Sequence, residues 1–405
     1  MPGIDRKSTR GWLTVSVFGF GLASFLSDLG HEAATAALPA LLLTIGTAPA
    51  ALGLIEGIAD GLSSFSKLLG GWIADQPKRR KPIAVVGYLV TGLAQGVFAF
   101  ATAWTHVLFA RSAAWIARGL RSPAREAMLA DSVPPEARGR AFGLHRAMDT
   151  SGAALGPVVA TLLLSIVPLR HVFGWAIVPG VLAALAFAVL VRPDRTTRTL
   201  DPQPFWKSVS ALPPRFRGFL GAVFLFGMGD FARTLLLLRA TQLMVPEWGI
   251  EKAATTAMLL YAGHNVIYAA ASYPVGWLAD RMSPERLLVV GYAVGVATAV
   301  MAAFAVPSLG YLIALFAVGG LTLAFEDTLE GTVTAHQIPS HLRGTGYGVL
   351  ATTNGVGDLL SSSIVGGLWS LAGPEVAFSF AALLALAGTL VLARTATDRP
   401  TPKSP

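Results

Sequence analysis

The sequence predicts an all-α integral membrane protein with twelve transmembrane helices in two pseudo-symmetric six-helix bundles. Three observations lead there. Of 405 residues, 53% are hydrophobic and only 13% charged, about half the charged share of an ordinary soluble protein. Apolar stretches recur along the whole chain at the length of about 20 residues that a crossing needs, and the mean hydropathy is +0.59. A shift of 205 residues superposes Gly71-Trp72-Ile73-Ala74-Asp75 on Gly276-Trp277-Leu278-Ala279-Asp280, and Arg138-Gly139 with Gly143 on Arg343-Gly344 with Gly348. Two matches at one offset indicate a six-helix unit duplicated in parallel.

Glycine, proline and charged residues punctuate the apolar stretches and set the elements in order. Six helices are expected near 12–44, 51–75, 83–104, 107–130, 141–165 and 170–192, and six more near 217–243, 253–279, 287–306, 310–336, 346–371 and 375–394. The first bundle takes residues 1–192 and the second 217–405, with a short tail. Between them, residues 193–216 hold Pro193, Pro202, Pro204, Pro213 and Pro214 with several basic residues, the composition of a flexible linker. Twelve helices use about 240 residues, which leaves loops, linker and tails but no sizeable soluble domain.

The net charge is +8. Its basic residues cluster at Arg6, Lys7 and Arg10, at Lys78, Arg79, Arg80 and Lys81, at Arg138 and Arg140, and in the linker at Arg195, Arg198, Lys207 and Arg215. Alternate connections are nearly free of them, so the positive-inside rule puts both termini and the linker in the cytoplasm and explains the charge without nucleic acid. The first apolar stretch is too long for a cleaved signal and reads as a retained helix. Cysteine is absent, which excludes disulfide scaffolds, thiolate metal sites and cysteine nucleophiles.

The connection after the second helix, GWIADQPKRRKP, resembles the signature loop of the major facilitator superfamily: Gly71, Asp75, Arg79 and Arg80 match, while Gln76 and Lys78 depart from it. A second copy keeps Gly276, Asp280 and Arg281. The fifth helix carries Gly143, Gly152, Gly156 and Pro157, which resemble the antiporter motif of the superfamily's drug/proton exporters, with Ala160 and Thr161 replacing its closing glycines. The resemblance implies two bundles around a central cavity, alternating access, a loop that latches the halves on the cytoplasmic side, a small-molecule substrate and no cofactor. For the fifth helix, close helix packing explains the same small residues.

An ionisable group at mid-helix costs roughly 3 kcal/mol in the membrane, so it marks an interior face. In the first helix Ser24, Ser27, Asp28, His31, Glu32 and Thr35 form one polar stripe at helical spacing. Asp28 and Glu32 are the expected proton carriers, with His31 beside them. The second helix repeats the pattern with Glu56, Asp60, Ser63, Ser64 and Lys67; Glu56, Asp60 and Lys67 read equally as proton-path groups or as a fixed ion-pair network. Asp149 lies three residues from Arg146, as an acid of the cavity or a local pair. The fourth helix carries Arg111, Arg118, Arg121 and Arg125, and the repeat maps Arg121 onto Glu326, Arg125 onto Glu330, Asp60 onto Asn265 and Asp149 onto Asn354. Opposite charges at matching depth suggest a cytoplasmic gate of Arg118, Arg121 and Arg125 with Glu326, Asp327 and Glu330; the alternatives are arginines that snorkel to the interface or that bind an anion. Asp230 and Arg233 read as a pair satisfied within one helix.

The expected function is proton-coupled export of a small solute by a monomer in the cell's inner or plasma membrane, its partners being the substrate, protons and the lipid bilayer. Symport of an anionic metabolite is the alternative, with Arg118, Arg121 and Arg125 as its ligands. A membrane enzyme or receptor is a different class. No P-loop is present, and His31-Glu32 has Thr35 where a zinc protease needs its second histidine, so no ATP hydrolysis and no metal site is expected.

Overall fold

The computed structural model describes residues 12–74, 77–134, 138–192, 209–279, 281–338 and 343–397, and these are helical with short turns. The helices are α1 (Val15–Thr44), α2 (Pro49–Ala74), α3 (Pro77–Val97), α4 (Trp104–Asp131), α5 (Arg138–Leu164), α6 (Leu169–Trp175), α7 (Ile177–Leu190), α8 (Pro214–Gly227), α9 (Arg233–Ala279), α10 (Pro284–Ala303), α11 (Leu309–Gln337), α12 (Arg343–Ala372) and α13 (Pro374–Thr397).

Among the described residues, thirteen α-helices make twelve crossings. The expected sixth helix is broken: Ala176 ends α6 and begins α7, and Pro179 in the first turn of α7 lacks the N–H that would continue the earlier ladder. The expected seventh helix is α8 plus the first part of α9, interrupted between Gly227 and Arg233. There a Cβ on Gly229 would lie 2.3 Å from the Ala381 carbonyl oxygen of α13, and the Ser362 hydroxyl accepts the Ala232 N–H at 3.1 Å. The seventh and eighth crossings join in α9 at Gly249, whose φ of 70° turns the chain out of the helix, a conformation that costs glycine little.

Elsewhere local chemistry sets the ends. Thr14 caps α1 through its hydroxyl, which accepts the Val17 N–H at 3.2 Å. Proline occupies the first position of α2, α10 and α13, where no N–H is missed. Among the described residues, six helical spans are long and apolar enough to cross a membrane on composition alone, at 80–100, 144–164, 169–190, 284–303, 309–334 and 374–396. The other crossings are too short or too polar, and they include α1, α2 and α4, which carry several of the buried ionisable groups.

The helices group into two compact units: 1–46, 62–201 and 254–262 in the first, 47–61, 202–253 and 263–405 in the second. The division follows the repeat except for two exchanged pieces, the start of α2 and a short stretch of α9. In the first unit Phe20 and Phe187 meet edge to face at 5.3 Å, and in the second Phe226 stacks on Tyr292 at 3.7 Å. Large apolar side chains such as Phe100, Phe109, Leu162, Val189, Leu371 and Leu383 face outward, as lipid contact requires. Since lipid removes the hydrophobic drive between helices, close backbone contact does that work: Cβ atoms on Gly92 and Gly180, on α3 and α7, would lie 2.6 and 2.4 Å from each other's Cα.

Candidate transport site

In the first unit the polar stripe of α1 is met rung by rung by the arginines of the antiparallel α4. Arg111 donates to Thr35 Oγ1 at 2.9 Å, Arg118 to Asp28 Oδ1 at 2.9 Å, Arg121 to Ser27 Oγ at 3.1 Å and Arg125 to Ser24 Oγ at 2.9 Å. Arg111 and Arg121 are each 1% exposed, and each guanidinium lies over an aromatic ring, Trp115 at 3.8 Å and Tyr88 at 4.0 Å. Such a seat offsets part of the cost of a buried cation. Tyr88→Leu removes the ring under Arg121 and is expected to cost about 2 kcal/mol of stability, read as a lower unfolding midpoint; an unchanged midpoint would mean the ring contributes nothing.

The other α1 groups are also engaged. Gln95 Nε2 lies 2.8 Å from His31 Nδ1, whose ring packs 4.5 Å from Trp115. Glu32 accepts the Tyr261 hydroxyl of α9 at 3.0 Å. His145 Nε2 and the Tyr88 hydroxyl lie 2.8 and 3.2 Å from Ser24 Oγ. Asp149 is 3.6 Å from Arg146 and 4.0 Å from Arg125, so it belongs both to its local pair and to the ladder.

The second unit reverses the signs. Arg233 of α9 lies 3.3 Å from Asp230 and 3.8 Å from Glu326 of α11, so Asp230 and Arg233 are not a pair closed within one helix. Arg233 stands at the repeat position of Asp28, a match present in the sequence and not drawn from it. Glu330 is 3% exposed and accepts the Tyr292 hydroxyl and the Asn354 amide, both at 2.6 Å. Asp327 accepts the Tyr268 hydroxyl at 2.7 Å. A small cavity of about 30 Å³ lies beside Asp230, Arg233, His264, Thr298 and Thr322, room for about one water.

Arg121 and Arg125 thus make their contacts in the first unit, Glu326 and Glu330 in the second. The cation that reaches Asp28 comes from α4; Lys67 is exposed and belongs to the first unit, whereas buried Glu56 and half-buried Asp60 belong to the second. In the loop motif, Arg80 pairs with Asp131 at the end of α4 at 2.8 Å, and Arg281 stacks on Trp277 at 3.4 Å. Asp75 and Asp280 lie outside the described residues; Gly71 ends in α2, Arg79 in α3, Gly143 in α5 and Gly276 in α9. On α5, Gly152 and Gly156 face α1 backbone: a Cβ would lie 2.3 Å from the Phe25 oxygen at the first and 2.8 Å from the Leu29 oxygen at the second. Pro157 follows within the helix.

A duplicated helical membrane fold with ionisable groups turned inward defines a multi-pass transporter, and the comparisons name its kind. The Major Facilitator Superfamily model matches residues 20–250 and 232–405. An uncharacterised MFS-type transporter of Methanocaldococcus jannaschii is 28% identical over 94% of this chain and 94% of its own. Multidrug resistance protein MdtH of Salmonella typhi is 25% identical over 87% of this chain and 86% of its own. The crystal structure of nucleoside transporter NupG superposes with a TM-score of 0.77 at 13% identity, covering 95% of this chain and 99% of that one, a likeness of fold. The chain belongs to the major facilitator superfamily.

Proposed function

We propose that the protein exports a small solute in exchange for protons, by alternating access, as a monomer in the cell's inner or plasma membrane with both termini in the cytoplasm. The observation that carries this reading is a surplus of inward carboxylates in the second unit, buried Glu330 with half-buried Asp230, Glu326 and Asp358, against Arg233, because intramembrane acids without matching cations are the usual proton carriers. The name of the MdtH relative and the fifth-helix glycines support export. Asp28 and Glu32 remain part of the machinery in this reading, with Asp28 held by Arg118. A second reading, symport of an anionic metabolite, draws on the four α4 arginines, which outnumber Asp28, Glu32 and Asp149 in the first unit.

Gradient direction separates the two. In proteoliposomes acidic inside, an antiporter drives uphill uptake of ethidium as protons leave; acidic outside, a symporter drives uptake of labelled gluconate as protons enter. The expected result is ethidium accumulation that collapses with a protonophore. Gluconate accumulation in the opposite gradient would replace export by symport, and no flux in either gradient would count against proton coupling. Asp75→Asn in the loop motif is expected to slow turnover while leaving equilibrium ethidium binding intact, as a latch requires; lost binding in a folded variant would make the loop a substrate site.

A further inference from the structure

The repeat supplies an internal control for Glu330. In the first unit the equivalent positions are Arg125 on α4 and Asp149 on α5, 4.0 Å apart, a cation facing an anion with a tyrosine of α3, Tyr88, beside them. In the second unit the same two positions hold Glu330 on α11 and Asn354 on α12, hydrogen-bonded at 2.6 Å, and the neighbouring helix α10 again presents a tyrosine, Tyr292, at 2.6 Å. The pair of positions is kept and a tyrosine stands beside it in both units, one residue out of the repeat register, while the pair's charge changes from balanced to a single acid. An isolated charge so deeply buried is costly, and it is made tolerable by a partner or a proton.

Among the described residues, the groups around Glu330 offer it no cation of its own. Its own helix presents Glu326 and Asp327. From α10 comes Tyr292, and from α12 come Asn354 and Asp358. The α8–α9 break and the start of α9 present Asp230 and Arg233, and farther along α9 are His264 and Tyr268. Arg233 is engaged by Asp230 and Glu326, and Tyr268 by Asp327. The hydroxyl and the amide leave Glu330 a place for one exchangeable proton and fix the carboxyl on both sides.

We propose that Glu330, held between Tyr292 and Asn354, is the site that takes up and releases the coupling proton, standing where the first unit uses a permanent arginine. The proposal rests on proton-coupled transport, and it shifts the coupling from α1 to α11. The bond made and broken is one O–H on the Glu330 carboxyl; the proton comes from water on one side of the membrane and returns to water on the other, and nothing is oxidised or reduced.

The test is a titration that needs no substrate. The full-length protein in phosphatidylcholine vesicles is followed by infrared absorption of protonated carboxyl groups while the pH is raised. Wild type is expected to lose a carboxyl C=O band, Glu330→Gln to lack that band, and Asp230→Asn to keep it. Tyr292→Phe and Asn354→Ala, each removing one hydrogen bond, are expected to shift the band and its midpoint. The double variant Glu330→Arg with Asn354→Asp rebuilds the ion pair of the first unit; it should unfold within a few degrees of wild type and bind one proton fewer. A Glu330→Gln spectrum identical to wild type would overturn the assignment.

In ethidium-loaded vesicles, Glu330→Gln is expected to retain exchange while losing uphill accumulation at least tenfold. Wild-type accumulation by Glu330→Gln would also overturn the proposal. A wild type that shows the band yet ignores every pH gradient would instead defeat proton coupling, leaving Glu330 as a proton site, so the two failures read differently.

Discussion

Arg118→Leu is expected to cost about 3–5 kcal/mol of stability, the usual effect of removing one partner of a buried ion pair. Asp28 is 6% exposed and Arg118 27%, and they meet at 2.9 Å. Without the guanidinium, Asp28 keeps a buried charge that has lost its ion-pair partner or must take a proton, and in either state it loses its strongest hydrogen bond. The loss should appear as a lower thermal midpoint in detergent, followed by tryptophan fluorescence. Pairing Asp28→Asn with Arg118→Gln removes both charges and is expected to recover most of the midpoint, without restoring transport. If Arg118→Leu unfolds within about 1 kcal/mol of wild type, the pair is a weak surface-type bridge and the ladder is not a structural element.

Gly152→Leu is expected to prevent assembly of the first unit. Even the first carbon of a side chain would lie 2.3 Å from the Phe25 carbonyl oxygen and 3.0 Å from its carbon. These are backbone atoms of α1, which cannot rotate away, so the helices must separate along their contact, at a cost of about 3 kcal/mol or more. Gly221→Leu is the control, since nothing lies within 4 Å of a Cβ there. The measurement is the yield of monodisperse protein by size exclusion. Equal yields from the two variants would show that α1 and α5 part without penalty, which would favour a motional role for the α5 glycines over a packing one.

Much of this was legible in the sequence. The 3.6 period of Ser24, Ser27, Asp28, His31, Glu32 and Thr35 marks one face of α1, and the cost of membrane charge marks α4. What the period does not specify is the neighbour across that face. Thus the arginines of α4 looked available for a gate, whereas each has a partner on α1. The repeat offset aligns Arg125 with Glu330 and Asp149 with Asn354, but alignment gives equivalence, not contact. That the aligned residues touch within each unit depends on how adjacent helices turn about their axes. The breaks at Ala176 and around Asp230 were hidden for a related reason: apolar residues continue through both, and the interruption comes from Pro179 and from the close approach of Gly229 to α13.

The exchange of segments between the units bears on engineering. Residues 47–61 belong with the second unit, where Gly53 presses on Ser362 and Gly366 and the Ser370 hydroxyl accepts the Ala50 N–H at 2.8 Å. A gene cut in the linker would therefore yield a front fragment whose α2 begins without its seat and a rear fragment with a vacant groove along α12. Neither half is therefore self-sufficient, and chimaeras with a relative's rear half should tolerate a linker junction only if residues 47–61 are carried over as well.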